Sequence, residues 1–135
     1  METLARASAA GLSLNRVGFG LAYLVAPGRA GKGWIGRAAR DPATQVFARG
    51  HGARDIALGA GALGTLVRGQ PRHARDWMCA QALADGVDLV ATLASRRRLP
   101  STGFRFAMLM AGGSTAVAVA SAALLHAASR GCSSG

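Results

Sequence analysis

From Phe106 to Ser129 the chain contains no Lys, Arg, Asp or Glu, and Arg105 and Arg130 bracket the run. A helix of about 20 mostly apolar residues crosses a bilayer. A water-soluble helix of that length needs a polar face to turn outward, and this segment has none. The run therefore predicts a transmembrane helix over about 104–129 and restricts the chain to folds that lipid can solvate. Within it Gly112, Ala116 and Ala120 recur at four-residue spacing, which predicts a face for close helix packing inside lipid.

Three further helices are expected. The first spans about 9–26 and closes at Pro27-Gly28. Arg6 ahead of an apolar run also fits a secretory signal, but Asn15 and Arg16 interrupt what would be its apolar core, so a retained helix is the expectation. The second spans about 42–67. Asp41 suits a capping position and Pro42 the first turn. Its strictly apolar part, Ile56–Val67, is too short to cross alone; it crosses only if His51, Arg54 and Asp55 enter the membrane with it. Gly50 and Gly52 are expected to weaken or kink it. The third spans about 76–95, after Pro71 and before Arg96–Arg98. Gly33–Arg40 reads as a short interfacial helical turn with Trp34 at headgroup level, and the polar tail 130–135 as disordered. The chain of 135 residues suits one domain. The expected fold is an all-α membrane protein, four transmembrane helices in a single bundle, multi-pass in the membrane.

A net charge of +10 invites a nucleic-acid reading. The positions of the charges argue against it. Basic residues cluster between the apolar segments, with no aromatic platform interleaved and no nucleic-acid motif, as loops flanking membrane helices require. Arg29, Lys32, Arg37, Arg40 and Arg49, with Arg96, Arg97, Arg98 and Arg105, fall on one side. Arg6, Arg68, Arg72, Arg75 and Arg130 fall on the other, which puts both termini outside. Cys79 and Cys132 form no CxxC, so neither a disulfide framework nor a zinc site is expected. No metal and no cofactor is anticipated.

The stretch ALADGVDLVATLA, Ala82–Ala94, carries two aspartates in an apolar run. Gln81, Asp85, Asp88 and Thr92 share one helix face, within an arc of about 60°. An Asp at mid-membrane costs about 2.5–3.5 kcal/mol on insertion scales, so this stripe should face other helices and not lipid. Asp85, the Arg54-Asp55 pair and Arg16 beside Asn15 lie near the middles of three separate segments. Ionisable groups at one depth are expected to meet, with Asp55, Asp85 and Asp88 surrounding Arg16 and Arg54. Tyr23, two turns after Arg16, is placed to cap them with its hydroxyl. If no other cation joins, one carboxylate is in surplus, and Asp85 or Asp88 is expected to hold the proton. His51, His73 and His126 read as interfacial or helix-end residues.

The stretch GHGARDIALGAGALGTLVRG (Gly50–Gly69), followed by ADGVD (Ala84–Asp88), resembles small, largely uncharacterised four-helix membrane proteins of actinobacteria in the broad DoxX-like group. The resemblance covers about Leu14 to Leu125 and implies the four-helix fold. Some members are associated with quinone-linked redox chemistry, which makes a quinone one implied partner. The residues themselves favour a pocket for a lipophilic small molecule, or a proton relay. The ligand-binding set is Asn15, Arg16, Tyr23, Arg54, Asp55, Gln81, Asp85, Asp88 and Thr92. One alternative is a metal-free intramembrane acid/base enzyme of epoxide-hydrolase or cyclase type. There Asp85 and Asp88 would be the acid–base pair, oriented by Arg54 beside Asp55. The other is a structural or assembly subunit, with the α-helix around Gly112 as its partner face. The bilayer is the expected partner, with a homo-oligomer compatible.

Overall fold

The computed structural model describes residues 2–131, with side chains from 3 to 127. The described residues are all-helical, with no strand among them. Four long helices dominate: α1 (Glu2–Val25), α4 (Pro42–Val67), α5 (Pro71–Ala94) and α6 (Ser101–Gly131). Between α1 and α4 lie two single-turn helices, α2 (Pro27–Ala30) and α3 (Lys32–Ile35), and a 3₁₀ turn over Gly36–Arg40.

Local chemistry sets the helix ends. The Asp41 carboxylate accepts from the Thr44 backbone N–H at 2.9 Å and from its hydroxyl at 3.1 Å, satisfying one of the orphan donors of α4. Pro42 and Pro71 occupy first-turn positions of α4 and α5, where a missing N–H costs nothing. Gly69, at φ 66°, reverses the chain between these two helices. α1 and α5 begin earlier than the apolar pattern alone suggests, because helix continues past the first apolar residue to the nearest good start. α4 runs through Gly50 and Gly52 as one helix. α6 extends to Gly131, so the beginning of the expected tail is helical; residues 132–135, with Cys132, lie outside the described residues.

Among the described residues one span, Ser101–Ala127, is long and apolar enough to cross a membrane by length and composition. The other long helices fall short of the four-span expectation for a physical reason. α4 carries Arg49, Arg54 and Asp55, and α5 carries Asp76, Asp85 and Asp88. These charges dilute the apolar signature of each segment.

α1 packs most extensively on α4, and α5 on α6; α1 with α6 and α4 with α5 make a lesser seam between the two pairs. Glycine brings α1 and α4 together. A Cβ at Gly20 would stand 2.6 Å from the Gly52 carbonyl oxygen, and one at Gly59 2.6 Å from that of Ser13. At the far end of the molecule Ala5, Ala9, Ala62, Leu66, Ala74, Met78, Ala122 and Leu125 form a dry core. At the other end α3 docks on α6, where a Cβ at Gly103 would meet the Trp34 carbonyl oxygen at 2.1 Å.

The expected packing stripe on α6 is not where that helix packs within the chain. Nothing lies within 4 Å of a Cβ built at Gly112, and Ala116 and Ala120 are exposed. The inward face carries Ala107, Ala118, Ala122 and Leu125. In an alanine-rich helix small residues fall on every face, so their spacing alone does not select one.

Gly59→Ala should lower stability by about 1–3 kcal/mol, because the backbones must separate to admit a methyl group. Gly113→Ala, in open space, should be neutral or stabilising by up to about 1 kcal/mol. Thermal unfolding of both variants in mild detergent checks the contrast.

Candidate functional site

The ionisable groups of α1, α4 and α5 converge. Arg16, only 6% exposed, projects from α1. Its Nη1 donates to Asp55 Oδ1 on α4 at 2.8 Å, and its Nη2 donates to Asp85 Oδ2 on α5. Arg54 of α4 grips Asp88 of α5 with both terminal nitrogens, Nη2 to Oδ2 at 2.7 Å and Nη1 to Oδ1 at 3.3 Å. Arg54 Nη2 also reaches Asp55 Oδ1 at 3.3 Å. A planar guanidinium suits this work, since it serves a carboxylate bidentately or two carboxylates at once. Arg16 and Asp85 are deeply buried, whereas the Arg54 side chain remains 34% exposed.

The surplus carboxylate expected from the sequence takes a different form. Asp85 and Asp88 each have their own guanidinium, while Asp55 is shared by Arg16 and Arg54. A third group then meets Asp55: His51 Nε2 stands 3.6 Å from its Oδ2. A proton on His51 would bring the cluster to charge balance. His51, expected from the sequence as an interfacial residue, stands beside the cluster. The available signal was its position four residues before Asp55, on the same face of α4.

A cavity of about 100 Å³ adjoins these groups. Arg16, His51, Asp55, Asp85 and Asp88 form its charged wall. Its apolar wall is built from Leu12, Phe19 and Tyr23 on α1, Trp34 on α3, and Phe106 and Met110 on α6. Tyr23 meets the cluster through its ring, edge-on to His51 at 5.2 Å, and Trp34 does the same at 5.7 Å. Among the described residues no hydrogen bond joins the Tyr23 hydroxyl to a carboxylate, so its contribution is ring packing. Asn15 is exposed and lines the mouth. The aromatic wall had no periodic signal in the sequence. Trp34 in particular is placed by the docking of α3 at Gly103.

Two residues of the expected polar stripe stand apart. Gln81 is fully buried but donates to Ser13 Oγ and the Leu58 carbonyl oxygen, both at 3.2 Å, and so ties α5 to α1 and α4 beside the charged cluster. Thr92 is buried and lines no part of the cavity. A shared helix face places residues on one side of α5, and α5 is long enough that its ends meet different neighbours. Arg54 likewise lies behind the cavity wall, bracing Asp88 from the α4 side. The pairing in which Arg54 orients both Asp85 and Asp88 is not formed, because Arg16 takes Asp85. Arg16 Nε and Arg54 Nε are buried without a hydrogen-bond partner among the described residues.

The chain matches no family model, no curated protein and no solved structure.

Arg16→Ala should cost about 3–5 kcal/mol, since it leaves the buried Asp85 without its guanidinium and takes from Asp55 the closer of its two. Asp88→Asn should cost clearly less, because Arg54 keeps Asp55 and is partly exposed. Folded yield and unfolding midpoints in detergent measure both, and equal losses would contradict the assigned pairing.

Proposed function

We propose that this chain is a multi-pass membrane protein, a four-helix transmembrane bundle of the bacterial inner membrane, whose cavity receives the polar head of a lipophilic small molecule. The distribution of side chains supports the membrane reading. Ser13, Arg16, Asp55, Thr65, Gln81, Asp85, Thr92 and Ser121 are buried, while large apolar residues face outward on all four long helices. Val25 is 82% exposed, Phe47 80% and Val67 86%; Leu83, Val87 and Val90 line the outside of α5. In water such a surface invites aggregation. In lipid it is the solvated face, and small or polar residues are what helices present to one another.

One observation carries the binding reading: the charged wall of the cavity faces an aromatic wall, and the mouth lies between α1 and α6 at the part-exposed Phe19, Phe106 and Met110. An apolar pocket with a few convergent polar groups is the usual form of a small-molecule site. An apolar cavity of about 150 Å³ accommodates benzene. The present one suits a small hydrogen-bonding head, with the apolar remainder leaving through the mouth. A quinone has this chemistry, and so do other lipophiles with a compact polar end. A proton relay is the second reading, favoured by the titratable groups His51, Asp55, Asp85 and Asp88 gathered along one wall of the cavity. The acid/base enzyme reading draws less support, because Asp85 and Asp88 are held by different arginines.

Lipid mass spectrometry on protein purified in mild detergent tests the binding reading. A small molecule should accompany the wild type and be lost on replacing Asp85 with Asn, or on filling the cavity with Ala111→Phe, since Ala111 of α6 also lines it; absence of any such molecule from the wild type, with no added lipophile binding, removes the reading. Four crossings predict that a membrane-impermeant maleimide labels Arg29→Cys and Arg97→Cys from one side and Arg68→Cys from the other, in a background lacking Cys79 and Cys132. Labelling of all three from one side would overturn the topology.

A further inference from the structure

A second concave surface lies apart from the cavity, where α1 gives way to α2. It is a groove of about 610 Å³. Four cations line it, each from a different segment: Arg29 of α2, Lys32 of α3, Arg40 of the 3₁₀ turn and Arg49 of α4. All four are exposed. No carboxylate pairs with any of them among the described residues. Asp41 is close in sequence, but its carboxylate is engaged in capping α4 and does not line the groove. The backbone that carries these charges is held in place, since Gln45 Nε2 donates to the Arg40 carbonyl oxygen at 3.2 Å.

Like charges gathered in a concavity repel one another, and an anion relieves that repulsion. The character of the anion follows from the rest of the lining. Val25 forms part of the groove and is 82% exposed; Val46, next to Gln45 on α4, is 68% exposed. Cations beside an outward apolar surface match an amphiphile with a negative head. Four cations spread over four segments exceed what a single phosphate engages, and the groove has room for more than one.

We propose that this groove binds the headgroup of an anionic phospholipid bearing two phosphate charges, with its acyl chains lying along the apolar surface beside Val25 and Val46. The site is separate from the cavity, and its occupancy does not depend on what the cavity holds. It differs from the general attraction of basic loops for an anionic membrane surface. That general attraction is supplied equally by Arg96, Arg97 and Arg98, which are exposed and line neither concavity. The Arg96–Arg98 cluster therefore serves as the internal control.

Native mass spectrometry of the protein in mild detergent, titrated with cardiolipin and separately with phosphatidylcholine, provides the test. Cardiolipin should form a one-to-one adduct that phosphatidylcholine does not displace. The double variant Arg29→Gln, Arg49→Gln should weaken that adduct about twenty-fivefold, the product of roughly a fivefold loss per charge. The double variant Arg96→Gln, Arg98→Gln should stay within about twofold of wild type. Equal losses in the two variants, or equal binding of phosphatidylcholine, would overturn the groove as a site. Displacement of cardiolipin by inorganic pyrophosphate at the same concentration would overturn the lipid as its occupant. All four substituted residues are solvent-facing, and unchanged unfolding midpoints would confirm that the comparison is between folded proteins.

Discussion

Arg16 joins the two halves of this protein. Its guanidinium holds Asp55 within its own helix pair and Asp85 in the opposite pair. Within the first pair α1 and α4 approach through glycine until their backbones nearly touch, and α5 packs extensively on α6 in the second. Between the pairs, at the level of the cavity, the links are ionic: Arg16 to Asp85 and Arg54 to Asp88. Burying these charges is costly, and the cost is offset only when every partner is present. The cluster therefore forms as a unit. The cluster also forms one wall of the cavity.

The same residues account for the inverted surface. A core of serine, glutamine, aspartate and arginine offers little hydrophobic drive for folding in water. The apolar surface that would supply it is turned outward, on Val25, Phe47, Val67, Val87 and Val119 among others. In a bilayer that arrangement loses nothing on the outside, and the interior hydrogen bonds gain from the absence of competing water.

Much of the site was legible in the sequence because a charge inside an apolar run needs a partner, and the strongest is another charge. Asp85, Asp88, Arg16 and the Arg54-Asp55 pair could be grouped on depth and helix face alone. Their partners could not be assigned that way. Which arginine takes which aspartate depends on how each helix is rotated about its axis, and periodicity gives a face without saying which neighbour it meets. Gln81 and Thr92 show the limit: they share the Asp85 face and lie above or below the cavity level. The glycine contacts were hidden for a related reason. Gly20, Gly52 and Gly59 matter because of what stands opposite them, whereas Gly112 has the more suggestive spacing and open space around it. His51 was read one residue at a time, when its distance of four from Asp55 was the useful fact. The charges that reveal the site also obscure the apolar pattern of the helices that carry it, so α4 and α5 are the least membrane-like segments by composition and the most informative about function.

The molecule is also asymmetric along its length. One end is filled by the alanine, leucine and methionine core and closed by the Ser8–Ser121 and Arg6–Leu66 contacts between neighbouring helices. The other end holds the cavity, the Trp34 segment clasped to α6 at Gly103, and the basic groove. On the proposed reading these two ends lie in different leaflets of the bilayer. A lipophile then reaches the cavity from one leaflet only, the one beneath the arginine-rich loops. It approaches sideways between α1 and α6, without crossing the membrane and without passing through water.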